Sequence, residues 1–194
     1  MLEPRAQVRR IGILDHTVPI ASSKAVTART LGPQTRFVLR LAAADAARIA
    51  QVAGLTLAGP INRANEYQRR TAARLGPDEW LLLAPEGEAT ALRDATAAAL
   101  AGCHHTLVDI SHRNAAIEIT GRAAPDVINA GCPLDLGLDR FKPGDATRTL
   151  FGKVEIVLIR LDDAGGVPVY RLEFWRSFGR FVHGFIVEVA REFA

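Results

Sequence analysis

Four residues whose types could do chemistry sit almost side by side: Asp109, Ser111, His112 and Arg113, in the stretch VDISHRNAAIEITG (108–121). An acid, a hydroxyl and an imidazole are the parts of a hydrolase triad. Such a triad needs the serine and the acid both within hydrogen-bond reach of the histidine. If the stretch is extended, side chains alternate between faces. Asp109, Ser111 and Arg113 then share one face, and Ile110 and His112 the other. Neighbours on a strand cannot converge, and no GxSxG elbow occurs anywhere in the chain. The expected role is a polar junction in which Asp109 and Arg113 pair or meet a partner.

Other candidates are weaker still. His104 and His105 follow Cys103, but adjacent histidines on a loop make a poor metal site. Cys103 and Cys132 fit no CxxC spacing and read as free thiols. His183 falls on the polar side of the last helix and reads as solvated. His16 lies in the N-terminal stretch. Glu86 with Glu88, and Asp162 with Asp163, are carboxylate pairs in a helix start and a turn, where acids are expected. Neither GxGxxG nor GxxxxGK[ST] occurs. The sequence therefore offers no catalytic, cofactor-binding or metal-binding residues.

The elements that carry these residues follow from periodicity and turn chemistry. Residues 1–34 hold Pro4, Pro19 and Pro33 and no lasting period, which predicts an irregular arm. A single α+β domain is expected over 35–194. RFVLRL (36–41) predicts a strand, and 43–54 a helix ended by Gly54. Two strands follow within 67–85 around a Gly-Pro-Asp turn. Residues 88–102 predict a second helix, alanine-rich and ended by Gly102. The order then repeats: a strand at 115–120 and a helix at 121–131 with Pro125 in its first turn. Strands at 147–161 and 167–175 flank DDAGG, and a helix closes the chain at 176–193. Two related βαββα halves result, about 35–107 and 108–194. The closing helix carries Phe178, Phe181, Val182, Phe185, Ile186, Val189 and Phe193 at steps of three and four, a stripe expected to be core or, failing that, a partner interface. Ser177 is its expected N-cap.

Charge adds a further constraint. Residues 1–40 hold seven basic residues against Glu3 and Asp15, an excess of +5 on a chain whose total is +3. The arm has no aromatic residue before Phe37 on which a base could stack, so a protein partner fits better than nucleic acid. Among the 24 basic residues only Lys24, Lys142 and Lys153 are lysine, and arginine is favoured at protein interfaces. No run approaches the roughly 18–20 apolar residues of a membrane helix, and the N-terminus lacks the apolar stretch of a signal peptide. A cytoplasmic protein is expected.

Several segments together carry a resemblance. LGPDEWLLLAP (75–85), VDISHRNAAIEITG (108–121), INAGCPLDL (128–136), TRTLFGKVEIVLIR (147–160) and RLEFWRSFGRFVHGFI (171–186) resemble the gamma subunits of heterotetrameric sarcosine oxidases. The likeness runs from about Arg36 to the C-terminus. It implies a fold like the folate-binding domain of the aminomethyltransferase and tRNA-modification family. It also implies a non-catalytic partner of alpha, beta and delta subunits. That complex oxidises sarcosine to glycine, giving hydrogen peroxide and formaldehyde, or methylenetetrahydrofolate when folate is present. FAD, FMN, NAD, tetrahydrofolate and zinc are then expected in the other subunits and none in this chain. The lysine-glycine-cysteine signature of stand-alone folate-binding relatives is missing. Oxidases of other N-methyl amino acids, such as N-methylglutamate dehydrogenase, use a similar subunit. A docking role points to Trp175, Arg176, Phe178 and Arg113 as interface residues, because aromatic and arginine side chains dominate interface energetics.

Overall fold

The runs EWLLLA (79–84) and VPVYRLEFW (167–175) are buried along nearly their whole length. A strand buried on both faces needs cover on both faces. The computed structural model describes residues 12–15, 20 and 23–193, and in it the cover is helices on one side and a second sheet on the other. The elements run β1 (Thr27–Leu31), β2 (Thr35–Leu41), α1 (Ala43–Ile49), β3 (Gln51–Val52), β4 (Leu55–Thr56), β5 (Arg63–Tyr67), β6 (Arg70–Arg74), β7 (Glu79–Ala84), α2 (Ala89–Ala99) and β8 (His105–Asp109). Then come β9 (Asn114–Thr120), α3 (Ala124–Asn129), β10 (Ala146–Phe151), β11 (Val154–Ala164), β12 (Val167–Trp175) and α4 (Gly179–Ala190).

One five-stranded sheet has the order β5-β6-β7-β2-β8 and the other β10-β11-β12-β9-β1. Neighbouring strands are antiparallel throughout. The orders match position for position, so β2 corresponds to β9 and β7 to β12. The fifth place differs in origin. In the first sheet it is filled by β8, which follows the half. In the second it is filled by β1, which comes from the start of the chain.

Alternation along the strands assigns the layers. Trp80, Leu82 and Ala84 of β7 join Phe37, Leu39 and Leu41 of β2 beneath α2's Leu92. Tyr170, Leu172 and Phe174 of β12 join Ile156 and Leu158 of β11 beneath Val127 and Ile128 of α3 and Val182 and Ile186 of α4. The opposite faces meet each other: Ala73, Leu81 and Leu83 lie against Ala146, Val157 and Ile159. The result is an α+β stack of helix, sheet, sheet, helix.

Several expected elements differ from the structure, each for a physical reason. Residues 27–31 are not irregular; they form β1 on the edge of the second sheet, paired with β9. Leu14, Ile20 and Val26 are buried in that half's core. Met1, Pro4, His16 and Pro19 lie outside the described residues. The helix expected to reach Gly54 stops at Ile49. Ala53 and Gly54, both at positive φ, instead turn the β3–β4 hairpin, as a two-residue loop of this kind requires. The strand expected over 147–161 is a hairpin, β10 and β11, turned at Gly152 with φ 60°. Residues 162–164 belong to β11, and only Gly165 and Gly166 make the following turn. Ser177 is no N-cap; it lies in a short 3-10 turn, and α4 begins at Gly179 without a side-chain cap.

Gly121 is where β9 hands over to α3 beside the start of β1. Its φ is +127°, and a Cβ there would overlap the Ala25 carbonyl oxygen. That oxygen already accepts from the Ala123 amide at 3.1 Å. The obstacle is backbone and cannot swing aside. Gly121→Ala is expected to destabilise the chain by more than about 1 kcal/mol, read as a lowered urea midpoint; an unchanged midpoint would show that β1 is not held at this point.

Candidate functional site

The junction that opened the sequence question is a turn. β8 ends at Asp109, β9 begins at Asn114, and the Arg113 amide donates to the Ile110 carbonyl at 3.0 Å. The alternating faces expected for an extended stretch therefore do not exist here. The Asp109 carboxylate accepts from the Ser111 amide at 2.9 Å and pairs with Arg93 at 3.6 Å. Partial burial opposes its charge, but Ser111 and Arg93 together hold its pKa below the usual carboxylate value. Ser111 is buried, and its Oγ accepts the Arg36 amide of β2 at 2.9 Å. Acid and serine thus fasten the link between the halves to β2. The expected Asp109–Arg113 pair is replaced by Asp109–Arg93, because the turn sends Arg113 elsewhere.

Arg113 goes to an aromatic patch. Its guanidinium lies 5.4 Å above the Trp175 ring. Trp175 stacks on Phe178 with centroids 6.3 Å apart. The Arg176 amide donates to the Arg113 carbonyl at 2.8 Å. Trp175 is 47% and Phe178 40% exposed, and both arginines are exposed. The four residues singled out from the sequence are therefore brought together on the surface where β12 passes into α4.

Sequence reasoning missed a fifth member. Phe181, read as core, is 45% exposed. The cause is the rotation of α4. Its buried face is Gly179, Val182, His183, Ile186 and Ala190, one clean helical stripe. The apolar stripe of the sequence is turned away from it, so Phe178 and Phe181 overhang one edge while His183 swings inward. His183 is consequently 4% exposed, not solvated, and its Nε2 has no hydrogen-bond partner. The signal in the sequence was slight: only Gly179 and His183 lie beside the apolar stripe on the side that is buried.

A second polar cluster lies between the sheets. Glu173 of β12 is fully buried and accepts from Arg36 Nε at 2.7 Å and from Arg171 Nε at 2.9 Å. Arg171 also reaches the Gln34 side chain. Burial alone would raise the Glu173 pKa, but the charges of Arg171 and Arg36 overcome it and hold the carboxyl below its ordinary value. At the rim, Glu79 accepts from Arg40 at 2.8 Å and Arg148 at 2.6 Å. These are structural clamps. They also change the reading of the basic N-terminal region: Arg29, Arg36 and Arg40 pair with Glu118, Glu173 and Glu79 and are not a free basic arm.

Several of the remaining candidates are spent locally. Glu88 pairs with Arg70 at 2.7 Å and Asp163 with Arg160 at 2.5 Å. His105 Nδ1 lies 2.9 Å from the Cys103 carbonyl. Cys132 is buried and Cys103 half-buried, both as free thiols. Among the described residues no three His, Cys, Asp or Glu side chains gather as a metal-ligand group. Nor is any helix among them long and apolar enough to cross a membrane.

Comparison with known proteins bears on this geometry. The family model for the sarcosine oxidase gamma subunit matches residues 40–192. The chain is 32% identical over 120 residues to sarcosine oxidase subunit gamma of Arthrobacter sp, spanning 62% of this chain and 56% of that one. It is 27% identical over 178 residues to the same subunit of Corynebacterium sp. (strain U-96), covering 90% and 84%. A chain of the heterotetrameric sarcosine oxidase from Corynebacterium sp. U-96 superposes with a TM-score of 0.82 at 25% identity, over 95% of this chain and 96% of that one. The glycine cleavage aminomethyltransferase of Bartonella henselae shares the fold at a TM-score of 0.64 and 12% identity, over 91% of this chain and 48% of that one.

Proposed function

The chain belongs to the sarcosine oxidase gamma subunit family, and on that premise we propose that it is the non-catalytic docking subunit of a heterotetrameric sarcosine oxidase. The observation that carries this reading is the near end-to-end superposition on a chain of such an assembly. In this reading the complex demethylates sarcosine oxidatively to glycine, and alpha, beta and delta subunits supply FAD, FMN, NAD, tetrahydrofolate and zinc. This chain supplies surface. Its polar residues support that division of labour: the conspicuous acids, serine and buried arginines are engaged in turns and inter-sheet clamps. The patch of Arg113, Trp175, Arg176, Phe178 and Phe181 is the proposed contact, because stacked aromatics beside arginine make typical interface anchors. A cytoplasmic location fits an assembly of this kind.

Two other readings make different predictions. The same subunit would serve an oxidase of another N-methyl amino acid, since no residue of this chain touches substrate in this reading. A stand-alone folate-binding role is suggested by the shared fold, but fold alone does not carry function. Co-expression with the three other subunits decides. A yellow complex that retains this chain through gel filtration and turns over sarcosine supports the proposal. Elution of the chain by itself, or calorimetric binding of tetrahydrofolate to the isolated chain, counts against it.

A further inference from the structure

Beside the aromatic patch lies a cleft whose walls hold more positive charge than they neutralise. The 12–15 turn, Thr30 at the end of β1, Arg36, His112, Asn114 and Arg176 line it. Asp15 is the one carboxylate among the described lining residues, and it accepts from the Gly12 amide at 2.6 Å. Behind the wall the imbalance deepens, since two buried guanidiniums, Arg36 and Arg171, share the single carboxylate of Glu173. Glu66 is the next acid to feel this cluster; it does so from the Arg171 side and is itself exposed.

The second observation is an unanswered donor. Arg36 is 1% exposed and its Nη2 has no hydrogen-bond partner, although Nε and Nη1 are both used. A buried donor on a charged group left without an acceptor is costly. The unanswered donor marks a buried positive charge that its surroundings do not fully balance. The cleft encloses about 80 Å3, enough for the head of one side chain and well short of the roughly 300 Å3 at which small-molecule pockets begin. Arg176, which forms part of its wall, is also part of the aromatic patch.

We propose that this cleft receives an aspartate or glutamate side chain of a partner subunit, its carboxylate pairing with the exposed Arg176 on the cleft wall in the uncompensated field of the buried Arg36 guanidinium. The inference rests on the docking reading and adds the chemistry of what docks. The aromatic patch supplies apolar contact, and the cleft beside it reads one negative charge.

Thr30 is exposed on the cleft wall, so it can be altered without disturbing the core. Thr30→Glu places a rival carboxylate in the cleft, and Thr30→Gln places a neutral group of the same size. Affinity for the other three subunits is measured for both variants and the parent, with thermal midpoints of the free chains. Thr30→Glu should bind roughly 10- to 100-fold more weakly, the scale of one charge-assisted hydrogen bond. Its midpoint should be unchanged or raised, and Thr30→Gln should bind nearly as the parent does. Parent-like binding by Thr30→Glu would overturn the inference. So would equal losses in both variants, which would report shape and not charge. If the parent chain itself failed to bind, the docking reading would fall, and this inference with it.

Discussion

Glu173→Ala is expected to lower the stability of the chain by about 3–5 kcal/mol, the usual cost of removing one partner from a buried ion pair. The geometry says why the loss should be at the upper end. Glu173 is the shared acceptor of Arg36 and Arg171, so its removal leaves two buried cations facing each other between the sheets. For a domain of this size that corresponds to a fall in Tm on the order of 10 °C. The same carboxylate sets a pH dependence. Its pKa is depressed in the folded state, so its contribution is fully present above the unfolded carboxylate range of about 4.3 and is lost as pH falls through the folded value. Urea midpoints of the parent should therefore drop as pH is lowered below about 4, and those of Glu173→Gln should drop less over the same interval. Parallel curves for the two proteins would show that the clamp is not what acid breaks.

Trp175→Ala with Phe178→Ala is expected to act in the opposite sense, leaving the free chain intact and removing its partners. Both side chains are nearly half exposed, so the change in folding stability should stay within about 0.5 kcal/mol of neutral for each. Anchors of this type cost about 2 kcal/mol or more when truncated at an interface, roughly 30-fold in affinity for each. The two rings stack on each other, so their effects should not add simply. Chromatography of the double variant with the other subunits should show the free chain where the parent co-elutes. Co-elution of the double variant would remove this patch from the interface.

Much of this was legible in the sequence, and the failures share a cause. The helices at 89–99 and 179–190 were visible through alanine-rich composition and an apolar stripe, and the strands at 79–84 and 167–175 as apolar runs bounded by turn residues. The edges were not. TARTL of β1 and RANEY of β5 are half-exposed edge strands, with too little burial to impose alternation. The β10–β11 hairpin was hidden because apolar residues continue on both sides of a turn marked by one glycine. EWLLLA shows no alternation because a sheet covers one face and helices the other, so the inter-sheet layer could not be foreseen from it. The four residues proposed for an interface were chosen for their chemical type, and the structure brings them together on the surface; Phe181 was missed because periodicity gives the phase of a stripe and not the angle at which the helix settles. A triad of Asp109, Ser111 and His112 was set aside on the geometry of a strand, whereas the backbone there is a turn whose acid and serine hold backbone amides.

The account turns on one claim, that this chain acts by docking through the surface where β12 enters α4. Amide hydrogen exchange of the chain, free and assembled with its partner subunits, tests it most directly. Assembly should slow exchange at 111–115 and 175–182 and leave the β5–β6 hairpin as in the free chain. Unchanged exchange at both segments, with protection confined to β5–β6 or another face, would contradict the account.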